Sequence, residues 1–110
     1  MITTFEALVD PTRRQILDLL RERPRLVGEL VELLEMSQPG VSKHLRVLRE
    51  AGLVHVRQDA QRRWYEVRPE PLADLHSWLE SYRHLWEARF DRLDSLLEEL
   101  QEKEKYDGQA

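Results

Sequence analysis

Three features of the sequence predict a mostly helical domain with one small β-hairpin. Apolar residues recur at helical spacing along most of the 110 residues. Two short alternating segments, residues 53–59 and 63–68, interrupt that pattern. Proline and glycine fall at segment boundaries, as in Asp10-Pro11, Pro24, Gly52 and Pro69-Glu70-Pro71. The result is five helices and a two-stranded hairpin.

The first piece, Ile2 to Val9, is short and amphipathic, with Phe5, Leu8 and Val9 as apolar anchors. Asp10-Pro11 then starts a helix sharply, with Asp as N-cap and Pro at the first helical position. That helix runs to about Glu22 and buries Ile16, Leu17, Leu19 and Leu20. Arg23-Pro24-Arg25 links it to a third helix, Leu26 to Leu34, whose apolar residues are Leu26, Val27, Leu30, Val31 and Leu34. Glu35-Met36-Ser37 is a tight turn.

Ser37 to Gly52, SQPGVSKHLRVLREAG, reads as a fourth helix with its own cap and stop. Ser37 caps, Pro39 lies in the first turn, and Gly52 suits a left-handed end. Val41, Leu45 and Leu48 form the buried stripe. Gln38, Ser42, Lys43, Arg46 and Arg49 project away from it. Amide, hydroxyl and cationic groups on one exposed helix face suit base edges in a DNA major groove. The same face would also be ordinary for a solvated helix, so its neighbours decide. Two helices joined by about three residues over 26–51, the second polar outside, form a helix-turn-helix.

The hairpin, about 53–68, follows directly and so reads as a wing. Val54 and Val56 share one face, His55 and Arg57 the other, and Tyr65 and Val67 share a face after an Ala60-Gln61 turn. Arg57, Arg62 and Arg63 gather near the tip, where a minor groove or phosphate would lie. Such arginines also keep a strand edge soluble; their place after the helix-turn-helix favours DNA.

A last helix is expected over about 71–105, uninterrupted by Gly or Pro. Its apolar residues include Leu72, Leu75, Leu79, Tyr82, Trp86, Phe90, Leu93, Leu97 and Leu100, spaced by 3 or 4. It is longer than its own domain needs, so a second copy is expected to cover it. The spacing departs from a strict heptad between Trp86 and Leu93, which points to helix packing rather than a regular coiled coil. Residues 1–105 are thus expected to form a single DNA-binding and dimerisation domain, followed by a flexible tail over 106–110.

The net charge of −4 on its own argues against nucleic acid, but its distribution is uneven and matters more. Residues 36–69 carry seven basic against three acidic side chains, while 70–110 carry five against eleven. The absence of cysteine excludes disulfides and thiolate metal sites. No apolar run reaches the ~18–20 residues of a membrane span and no signal-peptide pattern opens the chain, so a cytoplasmic protein is expected. There is no Gly-rich phosphate loop and no serine with a recognisable base partner, so no enzymatic activity is expected.

The segments FEALVDPTRRQILDLL, VGELVELLEMSQPGVSKHLRVLREAGLV and RRWYEV resemble the ArsR family of bacterial winged-helix repressors, over about Phe5 to Leu100. The ending WLESYRHLWEARFDRLDSLLEEL resembles a metal-independent branch with a long aromatic last helix. The resemblance implies a homodimeric repressor that binds an inverted-repeat operator and dimerises through its terminal helices. It implies release by an effector or by competition, with any small-molecule effector unidentified. It places Ser37, Gln38, Ser42, Lys43 and His44 in the DNA-contacting part of the recognition helix and Arg62 as the wing arginine; Pro39 and Arg46 on the helix and Arg57 and Arg63 on the wing are expected to join them at the DNA. Phe5, Leu8, Leu79, Tyr82, Trp86, Phe90, Leu93 and Leu97 fall to the dimer interface.

This chain departs from the pattern twice. The family often has Gly where Glu35 stands, and a left-handed Glu costs ~1 kcal/mol. The wing tip often has Asp-Gly where this chain has Ala60-Gln61, so a type I′ turn is not expected and the wing is expected to be wider or more mobile.

Relatives that sense metals through the last helix use Asp-x-His and His-x-x-His or His-x-x-Glu. Asp74-x-His76 and His84-x-x-Glu87 have ligand types suited to zinc or nickel, but His76 and His84 are too close in sequence for that site. No metal or cofactor is therefore assigned. The aromatics Trp78, Tyr82, Trp86 and Phe90 read as dimer core in preference to an effector pocket. Two alternatives remain: a zinc- or nickel-responsive repressor, and a winged helix that docks proteins through its acidic helix and no longer reads DNA.

Overall fold

The structure, a computed structural model, describes residues 1–107. In chain order it contains α1 (Thr4–Leu8), α2 (Pro11–Glu22), α3 (Val27–Leu34), α4 (Gln38–Glu50), β1 (Val54–Asp59), β2 (Arg62–Val67), α5 (Glu70–Glu80) and α6 (Arg83–Asp107). The chain divides into two compact units, the first spanning Met1–Leu75 and the second beginning at His76.

Local chemistry sets the helix starts. The Asp10 carboxylate accepts the N–H groups of Thr12 (2.8 Å) and Arg13 (3.2 Å), so α2 begins capped with Pro11 at its first position. The Ser37 hydroxyl accepts the Gly40 N–H at 3.2 Å and starts α4. A Cβ on Gly40 would stand 3.1 Å from that hydroxyl, so the small residue keeps the cap uncrowded. Leu26 has no capping side chain; instead the Glu29 carboxylate reaches back to its N–H at 3.1 Å.

Glu35 closes α3 in a left-handed conformation, φ 54° and ψ 42°. Its N–H donates to the Glu32 carbonyl and the Met36 N–H to that of Val31, so the turn into α4 is hydrogen-bonded despite the unfavourable residue. Glu35→Gly is therefore expected to stabilise the fold by about 1 kcal/mol and raise Tm by about 4 °C. Thermal unfolding checks this; an unchanged or lower Tm would show that the turn is not strained.

The core of the first unit is Ile16, Leu17, Leu20, Leu30, Val41, Leu45, Leu48, Leu53 and Val54, with Ala7 of α1. These come from one face each of α2, α3 and α4 and from the base of the hairpin. The antiparallel strands pair Val54 with Val67 and Asp59 with Arg62, leaving Ala60-Gln61 as a two-residue turn. Ala60 has φ 55°, the one positive φ in that turn, so type I′ is not formed. The wing is tight, not widened as the sequence suggested: Ala60 takes the left-handed backbone itself, and no extra loop residue is needed.

The expected single helix over 71–105 is two helices, which makes six, not five, among the described residues. Ser81 and Tyr82 interrupt it. The Ser81 hydroxyl donates to the Trp78 carbonyl at 2.7 Å, and the N–H groups of Ser81, Tyr82 and Leu85 bond three residues back. A serine that captures a nearby carbonyl competes with the i→i−4 ladder, and the chain tightens to i→i−3 bonds there. The second helix continues to Asp107, past the expected end at 105. Of the tail expected over 106–110, residues 108–110 lie outside the described residues.

Candidate nucleic-acid interface

The exposed side of α4 is built by subtraction. Val41, Leu45 and Leu48 are fully buried, so residues on the opposite face point outward. Pro39, Ser42, Lys43 and Arg46, spaced i, i+3, i+4 and i+7, line one shallow open hollow. Ser37, Gln38 and Arg49 are also exposed. His44 behaves differently: it is half-buried and its Nδ1 lies 3.4 Å from Nη1 of Arg13. That places it against α2, away from the stripe where the family resemblance had it. Arg13 itself is held by α1, donating to the Ala7 carbonyl at 2.7 Å and the Glu6 carbonyl at 3.0 Å.

The wing arginines divide by strand alternation. Cross-strand partners share a face, so Val54, Val56 and Gln58 lie with Val67, Tyr65 and Arg63. His55, Arg57 and Asp59 lie on the other face with Glu66, Trp64 and Arg62. Arg62 and Arg63 therefore present their guanidinium groups on opposite sides of the tip.

Arg57 is not a free cation. Its Nε donates to Glu66 at 2.7 Å and Asp59 lies 3.8 Å away. His55 Nε2 lies 3.0 Å from the other Glu66 oxygen. By contrast Lys43, Arg46, Arg49, Arg62 and Arg63 have no hydrogen-bonding or ion-pair partner among the described residues. Three of these uncompensated cations lie on α4 and two at the hairpin tip, one on each of its faces, and such groups suit phosphates and guanine edges.

The Arg57 hydrogen bond holds the Glu66 carboxyl below its ordinary value. The stabilisation from this pair is complete above about pH 4.3, the ordinary glutamate value, and is lost as pH falls through the lower native value. The indole signal of Trp64, on the same face, is thus expected to shift below about pH 4 as the Glu66 carboxylate takes up a proton. Glu66→Gln would remove that transition. An NMR titration checks it; an acid shift that survives the substitution would assign the transition to another group.

The residues assigned to the dimer interface occur in both units. In the first, Phe5 is exposed and Leu8 half-buried; Leu8 helps line a groove of about 280 Å³ with Leu17, Val67 and Leu72. In the second, Trp86 is half-buried while Leu79, Tyr82, Phe90, Leu93 and Leu97 are exposed, Phe90 at 59%. Leu85, Leu96 and Leu100 are exposed as well. The Trp78 and Tyr82 rings meet edge to face at 5.0 Å.

His76 faces Glu80 at 3.6 Å and Glu87 pairs with Arg83. Among the described residues no three His, Asp or Glu side chains form a group able to hold a metal ion.

Two residues near the interface escaped the sequence reading. Gln58 lies directly across from Arg63; continuing the Val54–Val56 alternation by one step finds it. Arg25 is the one buried charged side chain among the described residues. A linker arginine beside a proline gives no sequence signal for burial.

Comparison with known proteins gives one family. Residues 10–56 match the family described as "Bacterial regulatory protein, arsR family". The chain is 44% identical over 78 residues to the HTH-type transcriptional regulator Rv2034 of Mycobacterium tuberculosis, covering 71% of this chain and 73% of that protein. It is 33% identical over 82 residues to the transcriptional repressor SdpR of Bacillus subtilis, covering 74% and 91%. Among solved structures, it matches the homodimeric winged helix-turn-helix DNA-binding domain Mb0332 of Mycobacterium bovis at 31% identity and a TM-score of 0.59, covering 74% of this chain and 77% of that one. No helix among the described residues is long and apolar enough to cross a membrane.

Proposed function

The chain belongs to the ArsR family of bacterial regulatory proteins, and on that footing we propose that it is a homodimeric transcriptional repressor that reads an inverted-repeat operator through α4. The observation that carries this reading is the run of exposed, unpaired polar and cationic groups along α4, backed by a fully buried apolar stripe. Gln38 and Ser42 supply base-reading groups, Lys43 and Arg46 reach guanine or phosphate, and Arg62 and Arg63 bind backbone or minor groove. Ser37 and Pro39 set the start of the helix against the duplex. His44 supports α4 from behind, and Arg57 serves the wing through Glu66.

The dimer reading rests on α6. Its 25 residues span about 37 Å and display Leu93, Leu96, Leu97 and Leu100 to solvent. An exposed apolar row of that length is an interface, and a second copy matches it by symmetry. Two copies present two α4 helices to half-sites about one helical turn apart. The protein acts in the cytoplasm, where the chromosome is reached.

The test is selection from random duplex DNA with metal-stripped protein at near-physiological salt. Enrichment of an inverted repeat is expected. A folded sample that enriches nothing, with or without added zinc or nickel, would contradict the reading.

A further inference from the structure

We propose that Arg25 is a positioning residue for DNA binding: it fixes the tilt of the wing against the recognition helix. The inference rests on the function proposed above.

Arg25 lies in the linker between α2 and α3, and only 8% of it is exposed. Its side chain grips the last turns of α2. Nε donates to the Leu19 carbonyl at 3.0 Å, and Nη2 donates to the Glu22 carboxylate at 2.7 Å. Its backbone grips the wing: the Arg25 N–H donates to the Tyr65 carbonyl at 3.1 Å, and the Tyr65 N–H donates back to the Arg25 carbonyl at 2.8 Å. One residue thus joins the helical core to the outer edge of β2.

The geometry gives this bridge a specific task. At its base the hairpin is tied to the last turns of α4, where the Leu53 N–H donates to the Leu48 carbonyl at 2.9 Å. A hairpin held at its base alone can swing. The Arg25–Tyr65 bridge is a second tie, further along β2, and it removes that freedom. Tyr65 is three residues from Arg62, about 10 Å along the strand, so a small rotation at the bridge displaces the tip arginines by ångströms. α2 also packs against α4, so the wing is referenced to the recognition helix through the element Arg25 holds.

A buried arginine that served stability alone would often be replaceable by an apolar residue of similar size. The test separates the two roles. In Arg25→Met, operator binding is expected to weaken roughly tenfold and the slope of log K against log salt to flatten by about one to two phosphate contacts. In the same background Arg62→Ala is expected to change the slope little further, although in the otherwise native protein it removes about one contact. Arg25→Lys, which keeps the charge and one donor, should fall between, and it carries the test if the Met variant does not fold. Without DNA, the Tyr65 amide should exchange hydrogen faster in the variant while the Leu45 and Leu48 amides keep their protection. A full Arg62 effect on the slope in the Arg25 variants would overturn the proposal, as would unchanged Tyr65 exchange. Failure of the native protein to bind any duplex would instead refute the function it rests on, and the exchange measurement would still judge the bridge.

Discussion

Replacing Lys43 and Arg46 together with glutamate is expected to weaken operator binding by about three orders of magnitude. Both side chains are exposed on one face of α4 and neither has a partner to lose. The fold should therefore tolerate the change within about 0.5 kcal/mol. Binding should not. Each glutamate removes a cation from the duplex surface and brings a negative charge to it, so counterion release is lost and repulsion added. In a dimer each substitution acts twice. Anisotropy titration of a labelled operator, with circular dichroism as the folding control, checks this. A loss below about tenfold in a folded sample would mean that α4 does not enter the groove.

The second large effect concerns the interface. Leu97→Glu with Leu100→Glu is expected to convert the protein to a monomer at micromolar concentration and to lower operator affinity by about two to three orders of magnitude. Both leucines are about half exposed within one chain, so the isolated fold loses little. In a dimer they become buried, and unpaired carboxylates there would carry a large desolvation penalty. The affinity falls because two linked half-sites become two independent ones. Sedimentation velocity reads the first effect. A persisting dimer would move the interface off the distal part of α6.

Much of the helix-turn-helix was legible because its signals are local. Ser37, Pro39, the Val41–Leu45–Leu48 stripe and Gly52 each act within one or two turns, and the structure realises them as cap, first turn, buried face and a left-handed stop at φ 77°. Asp10-Pro11 is the same kind of signal. What was not legible depends on partners remote in sequence. The attachment of Arg57 to Glu66 needs the strand register, as does the division of Arg62 and Arg63 between two faces. Burial of Arg25 follows from the wing's free edge lying beside the linker. His44 turns inward because Arg13 waits there. The break at Ser81 was hidden for another reason. Apolar spacing continues evenly across it, and one hydroxyl reaching the Trp78 carbonyl is a feature that periodicity does not register. Glu35 shows the opposite case, an unfavourable residue whose left-handed backbone was correctly expected from its place in the turn.

The claim that two α4 helices read two symmetric half-sites is tested most directly by repeating the selection with Gln38→Ala and with Ser42→Ala. The account predicts an inverted repeat of unchanged spacing in which base preference relaxes at the same position of both halves. An unchanged site would contradict reading by α4, and relaxation in one half alone would contradict the symmetric dimer.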